Sequence, residues 1–263
     1  MYQFFLNLNL YLRKVIFPIR KFVESSVYSI LIPNSLRKFK DLYKGKPLII
    51  VGNGPSLNST PLDKFSSVPS IGMNKINLIF KKVTWRPSII ICTNGMVIKQ
   101  NKEFFKSSDI PVFLDFKACF FGIRGKMVNY FYTSRKSDFT LDFGKSVGWG
   151  YTVTYQALQL AHYLGANPII IFGVDHNYNV EKGDKITYQK NSKEDTNHFD
   201  PNYFGKGSIW GVPDLEGSER DYLETKGFVE KRGIKVYDAT VSGKLSIFEK
   251  ISVEKALSLV QDL

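Results

Sequence analysis

A glycine-rich turn with one asparagine follows the first strongly apolar run of the sequence. The stretch LIIVGNGPSL (48–57) places Gly52 and Gly54 on either side of Asn53 and adds a hydroxyl group at Ser56. Glycine lets the backbone turn sharply and approach a ligand closely, so an amide side chain and backbone N–H groups would face a bound molecule. The spacing is neither GxGxxG nor the lysine-containing P-loop, which disfavours ordinary dinucleotide binding and P-loop nucleotide hydrolysis.

Polar residues also follow the next two apolar runs. Asn74 comes after a short run in IGMNKIN (71–77), and Thr93 and Asn94 come after the following run in ICTNG (91–95). A single asparagine in such a place is typical of a turn or a helix cap. Three asparagines at successive strand ends predict a neutral polar cradle for the sugar and phosphate of a nucleotide.

A second glycine-rich stretch, SVGWGYTVTYQALQLAHYLG (146–165), runs into a predicted helix. The N-terminus of a helix offers free N–H groups and a partial positive charge to a phosphate group. Thr152 and Thr154 are expected to cap this helix or to contact that phosphate.

The sequence offers few groups for acid–base chemistry. Asp175 and His176 follow the apolar run IIIFG (169–173), and His198 lies in NHFDPNYF (197–204). An imidazole with an ordinary pKa of about 6.5 can accept a hydroxyl proton at cytoplasmic pH. No zinc-type spacing is present, but Mg²⁺ bound through Asp175 and phosphate oxygens stays open, because such sites need only one or two protein carboxylates.

The apolar runs themselves predict the fold. Short β-branched runs at 47–52, 88–94, 110–116 and 167–175 suit a parallel sheet that is covered on both faces. Helical patterns at 154–165 and 215–233 and a last strand at 234–240 alternate with them. We predict a Rossmann-like, doubly wound α/β domain over residues 47–263, with a mostly parallel sheet and helices on both faces. In such a sheet ligands bind outside the carboxyl ends of the strands.

Residues 1–46 differ from the rest and predict a basic amphipathic helical arm, interrupted near Pro18 and Pro33. Two interpretations stay open: the arm packs on its own domain or on a sister subunit, or it lies on anionic lipid. The net charge of +12 indicates an anionic partner. No nucleic-acid recognition motif accompanies the charge, so we expect no nucleic acid among the partners.

Cysteine content and hydropathy bear on the compartment. Cys92 and Cys119 are the two cysteines, too few for a disulfide framework. No apolar run reaches the roughly 18 residues that span a bilayer, and the first residues lack the features of a signal peptide. We expect a cytoplasmic protein, a homo-oligomer, with peripheral contact at the inner face of the cytoplasmic membrane as the open alternative for the arm.

The order of motifs resembles a known bacterial family. IIVGNGPSL, IGMNKI, TVTYQALQLAHYLGANPIIIFGVDHNY, HFDPNYFGKG and GIKVYDATVSGKLSIF follow one another as in the domain family named after 6-hydroxymethylpterin diphosphokinase (MptE-like). That family shares its GNGPSL start and its GVD strand with bacterial CMP-sialic acid dependent sialyltransferases. The resemblance covers roughly residues 47–250.

The resemblance implies where a nucleotide would lie. By resemblance to the sialyltransferases, the nucleotide pocket of this chain would be lined by Asn53, Asn74 and Asn94 and by the turn 150–154. The segment from Gly173 to Tyr178 would surround the cytidine. The reaction it implies is a metal-independent, inverting sugar transfer that needs no cofactor beyond the donor.

The resemblance also implies catalytic roles. His198 matches the loop histidine that takes the acceptor proton, and tyrosine hydroxyl groups stabilise the departing phosphate. This chain departs from the pattern by carrying His176 and Asn177 where those enzymes have aromatic residues, and its His198 loop differs in spacing. The candidate phosphate partners are Tyr178, Tyr188 and Tyr203.

Three functions are therefore compatible with the sequence. The first is a glycosyltransferase that moves a CMP-linked, sialic-acid-like or related acidic sugar from its donor to a glycan or glycolipid precursor of the cell surface, with His198, His176 and Asp175 as candidate catalytic residues. The alternative is a Mg²⁺-dependent diphosphokinase of the 6-hydroxymethylpterin type. The third is a noncatalytic nucleotide-binding protein.

Overall fold

A computed structural model of the chain describes residues 19, 22–30, 35–134, 138–178, 188–191 and 194–261, with the backbone alone at 188 and 189. The strands are β1 (Leu48–Val51), β2 (Ser70–Met73), β3 (Ile89–Cys92), β4 (Val112–Asp115), β5 (Val128–Phe131), β6 (Ile169–Phe172), β7 (Tyr188–Lys190), β8 (Ile209–Gly211), β9 (Val236–Asp238) and β10 (Glu249–Lys250). The helices are α1 (22–30), α2 (Gly95–Gln100), α3 (Lys102–Ser107), α4 (Lys117–Phe120), α5 (Val153–Tyr163), α6 (Leu215–Glu230) and α7 (Val253–Gln261).

Eight of these strands form one parallel sheet in the order β10-β9-β6-β1-β2-β3-β4-β5. The chain builds the sheet outward from β1 to β5 and then returns to the other side of β1 with β6. The strand order therefore reverses between β1 and β6, and this is the place where ligands bind in doubly wound folds. The predicted α/β, Rossmann-like architecture is confirmed. The pair β7–β8 is a separate antiparallel ribbon that the sequence did not predict.

The central strands are apolar along their whole length because both faces of the sheet are covered. In β1, Leu48 and Ile50 face one core cluster, and Ile49 and Val51 face the other. All four side chains are fully buried. Burying each such side chain contributes about 1.5–3 kcal/mol, so the sheet is a rigid base for the loops at its edge.

Part of the predicted N-terminal arm packs on this core. Leu36 and Phe39 are buried in one of the two clusters, and the backbone N–H of Tyr43 donates to the carbonyl oxygen of Leu164 at 2.8 Å, just after α5. Residues 1–18, 20, 21 and 31–34 lie outside the described residues, so the division at residue 47 stays a prediction. Within the described ranges, no helix has the length and hydropathy needed to traverse a lipid bilayer.

Candidate functional site

A cleft opens at the carboxyl ends of β1 and β6, where the strand order reverses. Its walls are the turn after β1, the residue after β2, the N-terminal ends of α5 and α6, the segment after β6 and the loop that holds His198. The cleft therefore lies where the parallel topology predicts a ligand site, and most of the candidate residues meet there.

The turns that follow β1 and β6 touch each other through glycine. A Cβ atom at Gly52 would overlap the carbonyl oxygen of Gly173, and one at Gly54 would overlap the carboxylate of Asp175. The N–H of Gly54 donates to the carbonyl oxygen of Gly173 at 2.8 Å. Gly173 has a φ of +68°, which favours glycine. The glycines thus let two strand ends pack backbone to backbone at the floor of the cleft.

Asp175 binds the turn after β1. One carboxylate oxygen accepts from the backbone N–H of Ser56 at 3.1 Å, and the other accepts from the Ser56 hydroxyl at 2.7 Å. Burial raises the pKa of Asp175, and these two hydrogen bonds oppose the rise. Asp175 lines the cleft, whereas Ser56 does not. Asp175 therefore uses the hydroxyl hydrogen of Ser56, and contact between Ser56 and a nucleotide stays a prediction.

Two of the three predicted asparagines lie in the cleft with unmet hydrogen-bonding capacity. The side-chain oxygens of Asn53 and Asn74 are buried, and neither has a hydrogen-bond partner among the described residues. An unpaired buried polar atom costs about 1–3 kcal/mol, so a ligand donor at each oxygen would recover that energy. Asn74 also has a φ of +54°, a conformation that asparagine tolerates better than most residues.

The third asparagine does not join them. The side-chain oxygen of Asn94 caps α2, accepting from the N–H groups of Met96 at 2.9 Å and Val97 at 3.5 Å. Neither Asn94 nor Thr93 is among the residues that line the cleft. The predicted cradle of three asparagines is wrong in this respect, because β3 lies two strands away from β1 and its end is used for capping.

His198 is held by a carboxylate that the sequence did not single out. Its Nδ1 lies 2.7 Å from an oxygen of Asp195, whose side chain is 2% exposed. The same oxygen accepts from the N–H of Phe204 at 3.1 Å, and the His198 ring stacks on Tyr203 at 3.9 Å. Since a carboxylate accepts, Nδ1 donates and Nε2 is left as the basic nitrogen. The signal in the sequence is DTNH (195–198), an acid three residues before a histidine in one loop.

The other histidine of the cleft has a different partner. Nε2 of His176 lies 3.0 Å from a carboxylate oxygen of Glu219 in α6, and the residue has a φ of +52°. This contact ties the segment after β6 to the next helix. His198 has its Nδ1 engaged and His176 its Nε2, so the two rings present different nitrogens for proton transfer.

Two of the three predicted tyrosines also line the cleft. Burial raises the pKa of Tyr178 and of Tyr203 above the ordinary value for a phenol, so both hydroxyl groups stay protonated and can donate hydrogen bonds to an anion. The side chain of Tyr188 lies outside the described residues.

The turn after β1 is also bonded to the loop that holds His198. The carbonyl oxygen of Asn53 accepts from the N–H of Phe199 at 3.0 Å, and the Asn58 side chain donates to the carbonyl oxygen of Phe199 at 3.1 Å. The backbone of Asn53, which lines the cleft, is therefore joined by one hydrogen bond to the residue next to His198.

The glycine-rich loop before α5 is held where it enters the helix, by contacts with α5 and with α6. Thr152 is the N-cap of α5, where its hydroxyl accepts from the N–H of Thr154 at 3.3 Å. Both threonines line the cleft. The N–H of Tyr151 donates to the carboxylate of Asp221 in α6. The predicted capping role is confirmed for Thr152, and contact with a ligand stays a prediction for both threonines.

Replacing Asp221 with asparagine is expected to remove a pH-dependent part of the stability. Burial raises the pKa of Asp221 to about 6 from an ordinary 3.8, partly opposed by the hydrogen bond from Tyr151. The folded state then holds a proton that the unfolded state releases, so the carboxyl group's contribution to stability falls as pH rises from about 4 to about 6. The free energy of unfolding of Asp221→Asn, relative to that of the wild type, should therefore rise by at most about 3 kcal/mol between pH 4 and pH 6. Urea unfolding at several pH values measures this difference. A difference that stays constant across the range would contradict the prediction.

Comparisons with known proteins agree with this architecture. A family model described as 6-hydroxymethylpterin diphosphokinase MptE-like matches residues 25–181, which is more than half of the chain. No curated protein matches the sequence significantly. A solved structure with a similar fold is that of the MAf glycosyltransferase from Magnetospirillum magneticum AMB-1, with a TM-score of 0.54 and 13% sequence identity. The match covers 85% of this chain and 40% of that chain, so this chain spans less than half of that protein.

Proposed function

Since the chain belongs to the family described as 6-hydroxymethylpterin diphosphokinase MptE-like, we propose that it is a glycosyltransferase of that family, which moves a sugar from a nucleotide donor to a glycan acceptor. The observation that carries the proposal is the pairing of Asp195 with His198 at the rim of a cleft whose floor is two glycine turns. The fold shared with a glycosyltransferase supports the same class of reaction.

The donor's nucleotide is proposed to occupy the floor of the cleft. The unpaired side-chain oxygens of Asn53 and Asn74 can accept hydrogen bonds from an amino group or from ribose hydroxyls. The N-terminus of α5, capped by Thr152, is suited to the phosphate. The motifs GNGPSL and GVD, which resemble those of CMP-sialic acid dependent sialyltransferases, support CMP as the nucleotide. They also support an acidic, sialic-acid-like sugar as the transferred group.

The chemistry proposed is a single inverting displacement. Nε2 of His198 takes the proton of the acceptor hydroxyl as that oxygen bonds to the anomeric carbon of the sugar. The bond from this carbon to the phosphate oxygen breaks, and its electron pair goes to the phosphate. The neutral hydroxyl groups of Tyr178 and Tyr203 are the candidate donors to that developing charge, so the proposed step needs no metal ion.

A diphosphokinase is the competing proposal, and one observation weighs against it. Such a reaction needs carboxylates around phosphates that are bound to Mg²⁺. Asp175 is the carboxylate at the floor of the cleft, and both of its oxygens accept hydrogen bonds from Ser56. Among the described residues that line the cleft, no second carboxylate stands beside Asp175, and a metal would be left with the lone pairs that these two bonds do not use. A noncatalytic nucleotide-binding protein would need the cleft but not the ordered His198.

CMP is expected to raise the melting temperature of the protein in the presence of EDTA. At about 100 times its Kd, CMP would add about 2.7 kcal/mol to the free energy of unfolding, or about 5–10 °C for a chain of this size. The measurement is a thermal-shift series with CMP, UDP, GDP and ATP, each with and without Mg²⁺. A shift by ATP that requires Mg²⁺, with none by CMP, would reject the proposed donor in favour of the kinase.

A further inference from the structure

Helix α1 has one face that the protein covers. Tyr28 is 4% exposed, meets Phe116 edge-on at 5.4 Å, and donates its hydroxyl hydrogen to the carbonyl oxygen of Gly144 at 3.1 Å. Glu24, one turn earlier on this side, is 3% exposed. The helix is therefore anchored to the domain by its inner face.

The opposite face of α1 is apolar and exposed. Phe22 is 74% exposed, Val23 48% and Ile30 73%. With 3.6 residues per turn, these three side chains lie together on the side away from Tyr28. We call these three residues the α1 face. Large apolar groups clustered in water indicate an interaction surface.

In the sequence, the charge on either side of α1 is predominantly positive. The first 40 residues contain seven lysines and arginines and one acidic residue, Glu24. Because Glu24 is buried against the domain, it does not offset the positive charge at the surface. Apolar side chains flanked by cations are the combination that binds anionic lipid surfaces. Two copies of a segment with this net charge would repel each other.

The α1 face lies at the same edge of the sheet as the cleft. Phe116, which Tyr28 touches, follows directly after β4, and the cleft is at the carboxyl ends of β1 and β6. Phe120 in α4, which is 57% exposed, packs edge-on against Phe116 at 5.5 Å. All strands of this sheet are parallel, so a surface bound by α1 would be close to the end where the substrate enters.

We propose that the α1 face binds an anionic phospholipid surface and holds the carboxyl edge of the sheet, with its cleft, next to that surface. For the acceptor, and resting on the proposed function, the class that fits is a glycan precursor linked to a membrane lipid. The lipid contact itself does not depend on the reaction.

The test is flotation of the full chain with vesicles. The wild type should bind vesicles of phosphatidylcholine mixed with phosphatidylglycerol, bind much less to phosphatidylcholine alone, and be released by high salt. Phe22→Asp and Ile30→Asp should each lower the partition to anionic vesicles by about tenfold or more. The matched control is Leu223→Asp, which changes a side chain that is 58% exposed on α6 and should bind like the wild type.

Three results would overturn the proposal: no binding of the wild type to anionic vesicles, equal binding of the wild type and both α1 variants, or a dimer that the α1 variants convert to a monomer in light scattering. The CMP melting shift is measured on the same proteins. An intact CMP shift without vesicle binding rejects the lipid contact alone, and vesicle binding without a CMP shift rejects the donor alone.

Discussion

Replacing His198 with alanine is expected to lower kcat for sugar transfer by about 10²- to 10⁴-fold. The variant would lose the nitrogen that we propose takes the acceptor proton, while Asn53 and Asn74, the proposed nucleotide contacts, would be unchanged. CMP should therefore still raise the melting temperature. The measurements are the transfer rate with a CMP-linked sugar donor and the thermal shift.

His176→Ala is the comparison for this experiment. It removes the contact with Glu219 and leaves the Asp195–His198 pair in place, so its transfer rate should fall much less. Full activity in His198→Ala together with loss in His176→Ala would move the base to His176 and keep the reaction class.

Asp195, which contacts Nδ1 of His198, is proposed as a positioning residue that acts through His198. Asp195→Asn is expected to lower kcat by about 10²-fold or more, with KM for the donor little changed, because an amide can present its N–H to Nδ1 and favour the wrong tautomer. A rise in donor KM together with the fall in kcat, in stability-matched samples, would instead indicate a disordered loop.

Replacing Gly52 with alanine is expected to cost about 3 kcal/mol in the free energy of unfolding and to abolish the CMP shift. The new methyl group would overlap the carbonyl oxygen of Gly173. The obstacle is backbone, which cannot rotate away as a side chain can. The turns after β1 and β6 would move apart, and the floor of the cleft that they form would be disrupted. Urea unfolding and the CMP thermal shift measure the two effects.

Gly227→Ala is the matched control for Gly52→Ala. Gly227 lies within α6, is exposed, and would place its Cβ in open space. Alanine is the better helix former, so this variant should gain up to about 1 kcal/mol and keep the CMP shift. A loss of stability like that of Gly52→Ala would show that the cost does not come from the contact with Gly173.

The sequence predicted the central sheet because the buried strands are continuous apolar runs. β1, β3, β4 and β6 fall within the predicted stretches, and their polar ends pointed to the correct edge of the sheet. The edge strand β5 was not predicted. Three of its four side chains are only partly buried, so its composition lacks the unbroken apolar pattern.

The sequence predicted the position of a site residue where the local pattern and the sheet topology agree. It missed residues whose role is set by a contact with a distant part of the chain. Gly52 and Asn53 follow a buried strand and lie in the cleft. Asn94 also follows a buried strand, but it caps a helix. The prediction failed there because the local sequence does not show where a strand lies in the sheet. Only the fold shows that Asp195 contacts His198 and the N–H of Phe204.

The hydrogen bond between the Asn53 carbonyl oxygen and the Phe199 N–H joins two parts of the chain that are far apart in sequence. Because Phe199 adjoins His198, the main chain at Asn53 and the loop that holds the imidazole are directly linked. If the proposed nucleotide binds at Asn53, it would therefore also restrain the loop that carries the proposed base.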